Sequence, residues 1–160
     1  MMAGPGAKPL AGAHRSYLNG ETAVIPITGP IFPRANLMTE NSGATSISML
    51  QNDLGVAMAS KEARSIMLLI DSPGGAVSGI GEFGQQVAAS VRRKPLVAHI
   101  SGTGASAAYW IASQASSISA DRVAAQRCRM GRWHGSCATH LVPIGLKVPK
   151  KHKPKSSLAQ

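Results

Sequence analysis

Aromatic residues are scarce in this chain, with two Phe, two Tyr and two Trp among 160 residues. So few rings exclude a repeated aromatic platform of the kind that stacks single-stranded bases. Cysteine is scarcer still: Cys128 and Cys137 stand alone, which excludes a framework of several disulfides, and without a C-x-x-C pair they do not make a usual zinc-ligand pattern with His134 and His140. No apolar run reaches the length of a membrane-spanning helix. The opening "MMAGPGAKPLAGAHRSYLNG" lacks the continuous apolar segment of a secretory signal. The expectation is a cytoplasmic protein without metal, cofactor or membrane contact.

Acidic side chains are also few, 7 against 17 Lys and Arg, but the deficit is local. Residues 1–125 carry nine basic and seven acidic side chains, whereas residues 126–160 carry eight basic ones and no acid. The net charge of +10 therefore belongs mainly to the tail. A basic run without a folded platform or interleaved aromatics reads as solvated rather than as a nucleic-acid surface. Three segments follow: a flexible lead-in over residues 1–20, an α/β domain over residues 21–125, and a basic tail over residues 126–160 that is disordered or out of frame.

Within the middle segment, apolar periodicity alternates between strand and helix. "TAVIPIT" at residues 22–28 is β-branched, with Pro26 favouring a sheet edge or strand end. Ile47, Leu50, Leu54, Ala57 and Met58 recur at helical spacing behind Thr45 or Ser46 as an N-cap. "RSIMLLIDS" at residues 64–72 is a continuous apolar run, the pattern of a strand buried on both faces. Val77, Ile80, Phe83, Val87 and Val91 form a second helical stripe, which ends by Lys94 because Pro95 follows. "PLVAHIS" is the next strand, residues 106–113 are helical, and "SSISADRVA" holds a last short strand. This alternation with short connections predicts a parallel α/β sheet covered by helices. Two glycine-containing turns, "DSPGG" and "SGTGAS", fall at strand ends before helices, where such sheets gather their ligands.

Ser106 sits in the second turn among Gly102, Gly104, Ala105, Ala107 and Ala108. A serine hydroxyl attacks an amide only when a base takes its proton and donors stabilise the resulting oxyanion. Small neighbours would let a substrate backbone approach, and free N–H groups at a helix start would supply donors. Close helix-to-sheet packing explains the same small residues equally simply.

Taken together, "LLIDSPGGAVSG" and "KPLVAHISGTGASAAYWIAS" resemble the serine peptidases of family S49. These include signal peptide peptidase A and the phage head-maturation, or capsid-assembly, proteases. The resemblance runs from about Ala23 to Ala124, and "ITGPIFPRANLMTENSGATS" looks specifically like the phage-type members. It implies a Clp protease/crotonase-like fold of repeated β-β-α units, with Ser106 as nucleophile and the amides of Gly74 or Gly75 and of Ala107 as oxyanion hole. Asp71 would shape the turn. The implied function is a Ser-Lys endopeptidase acting on scaffold or capsid proteins, assembled as a homo-oligomer, with the helix of Phe83 and Val87 offering a contact between copies. An inactive fragment serving as an assembly module and a crotonase-like acyl-CoA enzyme are the alternatives.

The family's lysine base follows the serine beyond a "GSIGV"-like segment, which is absent after Ala125. Lys153 and Lys155 lie at roughly suitable distance, yet their basic surroundings favour solvated, protonated amines. His99 is read as a packed core histidine in mid-strand.

Overall fold

The computed structural model describes residues 6–34 and 43–127. Its elements in chain order are β1 (Lys8–Pro9), β2 (Tyr17–Asn19), β3 (Thr22–Thr28), β4 (Ile31–Phe32), β5 (Thr45–Ser46), α1 (Ile47–Ala59), β6 (Ser65–Ser72), α2 (Ile80–Ser90), β7 (Leu96–Ala105), α3 (Ala107–Ala112), β8 (Ile118–Ala120) and β9 (Ala125–Arg127). The main sheet runs β1-β2-β3-β6-β7-β8, and β9 also pairs β7. From β3 to β8 and β9 the pairing is parallel, as the alternating pattern predicts, while β1 and β2 add an antiparallel edge.

That edge corrects the reading of residues 1–20 as a flexible lead-in. Residues 6–20 contain two strands, and the loop between them is clamped by a buried carboxylate. Asp53, on α1, accepts from the N–H groups of His14 (2.7 Å), Arg15 (3.1 Å) and Ser16 (3.1 Å) and from the Ser16 hydroxyl (2.6 Å). Pro26 is tolerated in an interior strand because β2 pairs β3 only as far as Val24. Beyond that point no ladder partner on that side needs an N–H.

Burial alternates along the central strands. Ile66, Leu68 and Ile70 of β6 and Leu96, Ala98 and Ile100 of β7 are buried in one core with Leu50 and Leu54 of α1, Phe83 and Val87 of α2, and Ala108 and Ile111 of α3. Met67, Leu69 and Val97, on the opposite face, are only half-buried. The run at residues 64–72 is therefore not buried on both faces, because the described helices pack against one face of the sheet. Phe83 and Val87 are fully buried, so they make no surface for a neighbouring copy. Val77 lies outside the helical stripe and is 69% exposed.

Helix α1 begins where the sequence placed its cap, with the Ser46 hydroxyl accepting from Met49 N–H at 3.2 Å. At its other end Lys94 Nζ donates to the carbonyls of Ala57 (2.9 Å) and Ser60 (2.7 Å), a cation meeting the helix's negative pole. Gly55 lies exposed inside α1, and an added methyl there would meet nothing within 4 Å. Gly55→Ala is expected to stabilise the fold by about 0.5–1 kcal/mol, since alanine loses less backbone freedom in a helix. A urea midpoint that falls instead of rising would contradict it.

Candidate functional site

The carboxyl ends of β6 and β7 bring the two glycine turns into contact. Pairing between the strands shifts register from Ile70 opposite Ile100 to Ser72 opposite Gly104. The extra length on β7 bulges around Asp71, whose Oδ1 accepts from Thr103 N–H at 2.8 Å. Asp71 thus holds the bulge in shape. The segment expected as a turn is the last part of strand β7, which continues to Ala105.

Ser106 follows at φ 52° and ψ −123°. Among the described residues it is the one non-glycine residue with positive φ. A serine gains nothing locally from that conformation, which costs on the order of 1–3 kcal/mol and is held by its surroundings. The sharp strand-to-helix reversal leaves the side chain half-buried, and its hydroxyl does not cap α3.

The surroundings that hold it come from the other turn. Gly74 has φ +94°, and an added Cβ would lie 2.7 Å from Ser106 Cβ, 2.8 Å from Ala105 O and 3.0 Å from Ala107 N. Ser72 fixes this turn: its buried hydroxyl donates to Gly29 C=O at 2.6 Å and accepts from Gly74 N–H at 3.1 Å. No reading of the sequence singled out Ser72. Its only signal was the place of a small hydroxyl beside Pro-Gly-Gly, where side chain and backbone commonly bond.

That bond also sorts the candidate donors. Gly74 N–H is engaged by Ser72, whereas Gly75 is exposed and its N–H points elsewhere. The bridge between Gly75 and Ile31 uses Gly74 C=O, accepting from Ile31 N–H at 3.0 Å, and Ala76 N–H, donating to Ile31 C=O at 2.9 Å. By the alternation of a parallel ladder, the Gly75 amide faces away from Ile31. Ala107 is the first residue of α3, where an N–H has no partner within the helix. With six residues, α3 contributes these amides more than a macrodipole.

The glycines of β7 do not open space for a ligand. The position a Gly102 side chain would take is filled by the Asp71 carboxylate, and that of Gly104 by Ile100, 2.7 Å away at Cδ1. Ala107 and Ala108 are buried. These four small residues serve internal packing, and the approach to Ser106 is left to the turns on either side.

No described lysine reaches Ser106. Lys61 and Lys94 precede β6 and β7 at the opposite end of the sheet, and Lys8 lies on β1. Lys153 and Lys155 fall outside the described residues, as do Cys128, His134, Cys137 and His140. His99 is not a sealed core residue. Its side chain is 25% exposed, its Nδ1 lies 2.9 Å from Ser119 Oγ, and its Nε2 lies 3.4 Å from Asp121 Oδ1. Seven residues of strand put it roughly 15–20 Å from Ser106, so it ties β8 to β7 and takes no proton from that serine. Among the described residues no group of three or more His, Cys, Asp or Glu side chains could hold a metal ion, and no helix is long and apolar enough to cross a membrane. An open groove of about 440 Å³ lies at the amino ends of the strands, away from Ser106, with Thr22, Val24, Ser65, Met67 and Val97 in its lining.

Compared with known proteins, 148 residues of the chain are 33% identical to the head-tail preconnector protein GP5 of Enterobacteria phage P21. The match covers 89% of this chain and 28% of that protein. The chain is thus a homologue of a phage head-tail preconnector protein and spans about a quarter of its length. No family model matches the chain. An enoyl-CoA hydratase/isomerase family member superposes on 74% of the chain and 50% of its own length, with a TM-score of 0.52 and 20% identity. A protein assigned to the same hydratases/isomerases from Acinetobacter baumannii covers 69% of the chain and 49% of its own length, at TM-score 0.49 and 18% identity. Identities this low speak to the fold alone, which is crotonase-like α/β.

Proposed function

We propose that Ser106 is the nucleophile of a serine endopeptidase site and that the chain belongs to a protein processing scaffold or capsid components during phage head assembly. The observation that carries this reading is the strained backbone of Ser106, held against Gly74 at the end of a parallel strand. A strained strand-to-helix turn is how hydrolases lift a serine Oγ clear of its neighbours. In the reaction, Oγ would bond to the scissile carbonyl carbon while the hydroxyl proton passes to a base and on to the leaving amine. The N–H groups of Gly75 and Ala107 would receive the developing oxyanion. Removing one such donor typically costs about 10²–10³ in rate. The likeness to the phage preconnector protein supports the setting, and the resemblance of the two glycine turns to S49 peptidases supports the chemistry.

The base would be a lysine supplied outside the described residues, Lys153 or Lys155 by position. A second reading, an assembly module without catalysis, is favoured by one observation: none of the lysines at positions 8, 61 and 94 stands beside Ser106. Enoyl-CoA chemistry is supported by fold likeness alone, and fold does not carry function.

A fluorophosphonate reagent separates these readings. The chain is expected to be labelled covalently, and Ser106→Ala to lose at least 100-fold of the labelling while keeping its unfolding transition. Equal labelling of both proteins would sink the assignment, and no labelling of the folded wild type would favour the assembly module.

A further inference from the structure

The large hydrophobic side chains that stay exposed among the described residues are Phe32 (41%), Val77 (69%) and Val123 (91%). Single exposed hydrophobics need no explanation, but all three gather at the end of the sheet that carries Ser106. Phe32 follows Ile31, whose backbone is bonded to Gly74 and Ala76, and Val77 follows Ala76. Gly74 itself packs against Ser106. At no more than about 3.6 Å per residue, Val77 lies within about 11 Å of Gly74. Val123 approaches from the other edge of β7. It stands two residues before Ala125, which pairs Thr103, and Arg127 of the same strand pairs Ala105, the neighbour of Ser106. Other hydrophobics at these strand ends, Ile27, Ile31 and Ile70, are fully buried.

We propose that Phe32 and Val77 on one side, and Val123 on the other, are specificity residues that take the apolar side chains flanking the reacting carbonyl. The occupant is an extended peptide segment with aliphatic or aromatic residues beside the attacked bond. The inference rests on Ser106 as nucleophile and adds the class of substrate. The exposed amide of Gly75 lies between Gly74 and Val77, so a segment whose carbonyl reaches that donor passes Val77 within two residues. Excluding one aliphatic side chain from such a contact is worth about 10-fold in discrimination.

The test follows inactivation of the full chain by two diphenyl phosphonate peptides of equal length, one with leucines and one with glutamates beside the phosphorus. A small alkyl fluorophosphonate is run in parallel. Each reagent forms a bond from Ser106 Oγ to phosphorus and expels phenolate or fluoride. The leucine peptide is expected to react about 10-fold faster with the wild type. That ratio should fall towards one in Val77→Asp and invert in Val77→Lys. Because it is read within one protein, the ratio does not depend on how much of a variant is folded. Equal rates for the two peptides, with Ser106 still labelled by the small reagent, would overturn the proposal and leave the hydrolase reading standing. No labelling by the small reagent removes both. A smaller sedimentation coefficient for Val77→Lys with an unchanged ratio would assign the patch to contact between copies, which also overturns it.

Discussion

Gly74→Ala is expected to abolish labelling of Ser106 by a fluorophosphonate, with a loss of more than about 100-fold, although the substitution adds a single methyl group. The added Cβ would lie 2.7 Å from Ser106 Cβ and 2.8 Å from Ala105 O, and the backbone at φ +94° is one that alanine avoids. Neither neighbour is the far end of a flexible chain, so relief requires the serine turn itself to move. A displacement of about 1 Å is enough to cost 100-fold when a nucleophile and its oxyanion donors must converge. The same strain should lower stability by about 1–3 kcal/mol. Gly81→Ala is the matched control, because a methyl there meets nothing within 4 Å in helix α2. The measurement is the labelling rate of both variants beside their unfolding midpoints. A Gly74→Ala protein that labels at the wild-type rate would show that the two turns do not act as one site.

Asp53→Ala is expected to cost about 3–4 kcal/mol of stability, a large share of the roughly 5–15 kcal/mol that holds a domain together. Asp53 is 3% exposed and accepts from three consecutive backbone N–H groups and one hydroxyl. Removing the carboxylate leaves those donors without a partner, and buried unsatisfied donors cost about 1–3 kcal/mol each. The loop over residues 14–16 can turn some of them to water, which keeps the total below the sum. Asp53→Asn should be intermediate, since one oxygen remains while the amide presents hydrogens to donors. Denaturant unfolding of the three proteins checks the order, and a loss under 1 kcal/mol for the alanine variant would show that β1 and β2 are held by other contacts. The site is far from this clamp, so labelling of any remaining folded Asp53→Ala protein should be retained.

Much of this architecture was legible in the chain because its signals are local. The β-branched run at residues 22–28 matches β3, and the Ser46 cap and the stripe of Ile47, Leu50, Leu54 and Ala57 mark α1. Pairing the "DSPGG" and "SGTGAS" segments was legible for the same reason: each pattern ends a strand, and parallel strands end on one side. What misled was composition taken without a partner. The glycines and prolines near the N-terminus suggested a loose lead-in, yet a single aspartate 37 to 39 residues away organises that loop. The apolar run at residues 64–72 suggested two covered faces, since periodicity cannot say how many layers a sheet receives. Val77 fitted a helical spacing but stands before the turn at Gly79, outside α2.

By itself the sequence determined the order of strands and helices, the caps, the parallel core and the serine that is set apart by its small neighbours. Each depends on contacts within a few residues, where dihedral preference and apolar period decide the outcome. Tertiary structure alone decided what those small residues are for. Gly102 makes room for Asp71 and Gly104 for Ile100, whereas Gly74 gives way to Ser106 and forces it to positive φ. It also decided that Gly74's amide is occupied by Ser72 while Gly75's is not. These distinctions are set by which atoms from distant segments fill the space above each Cα, and no glycine carries that information in its own letter.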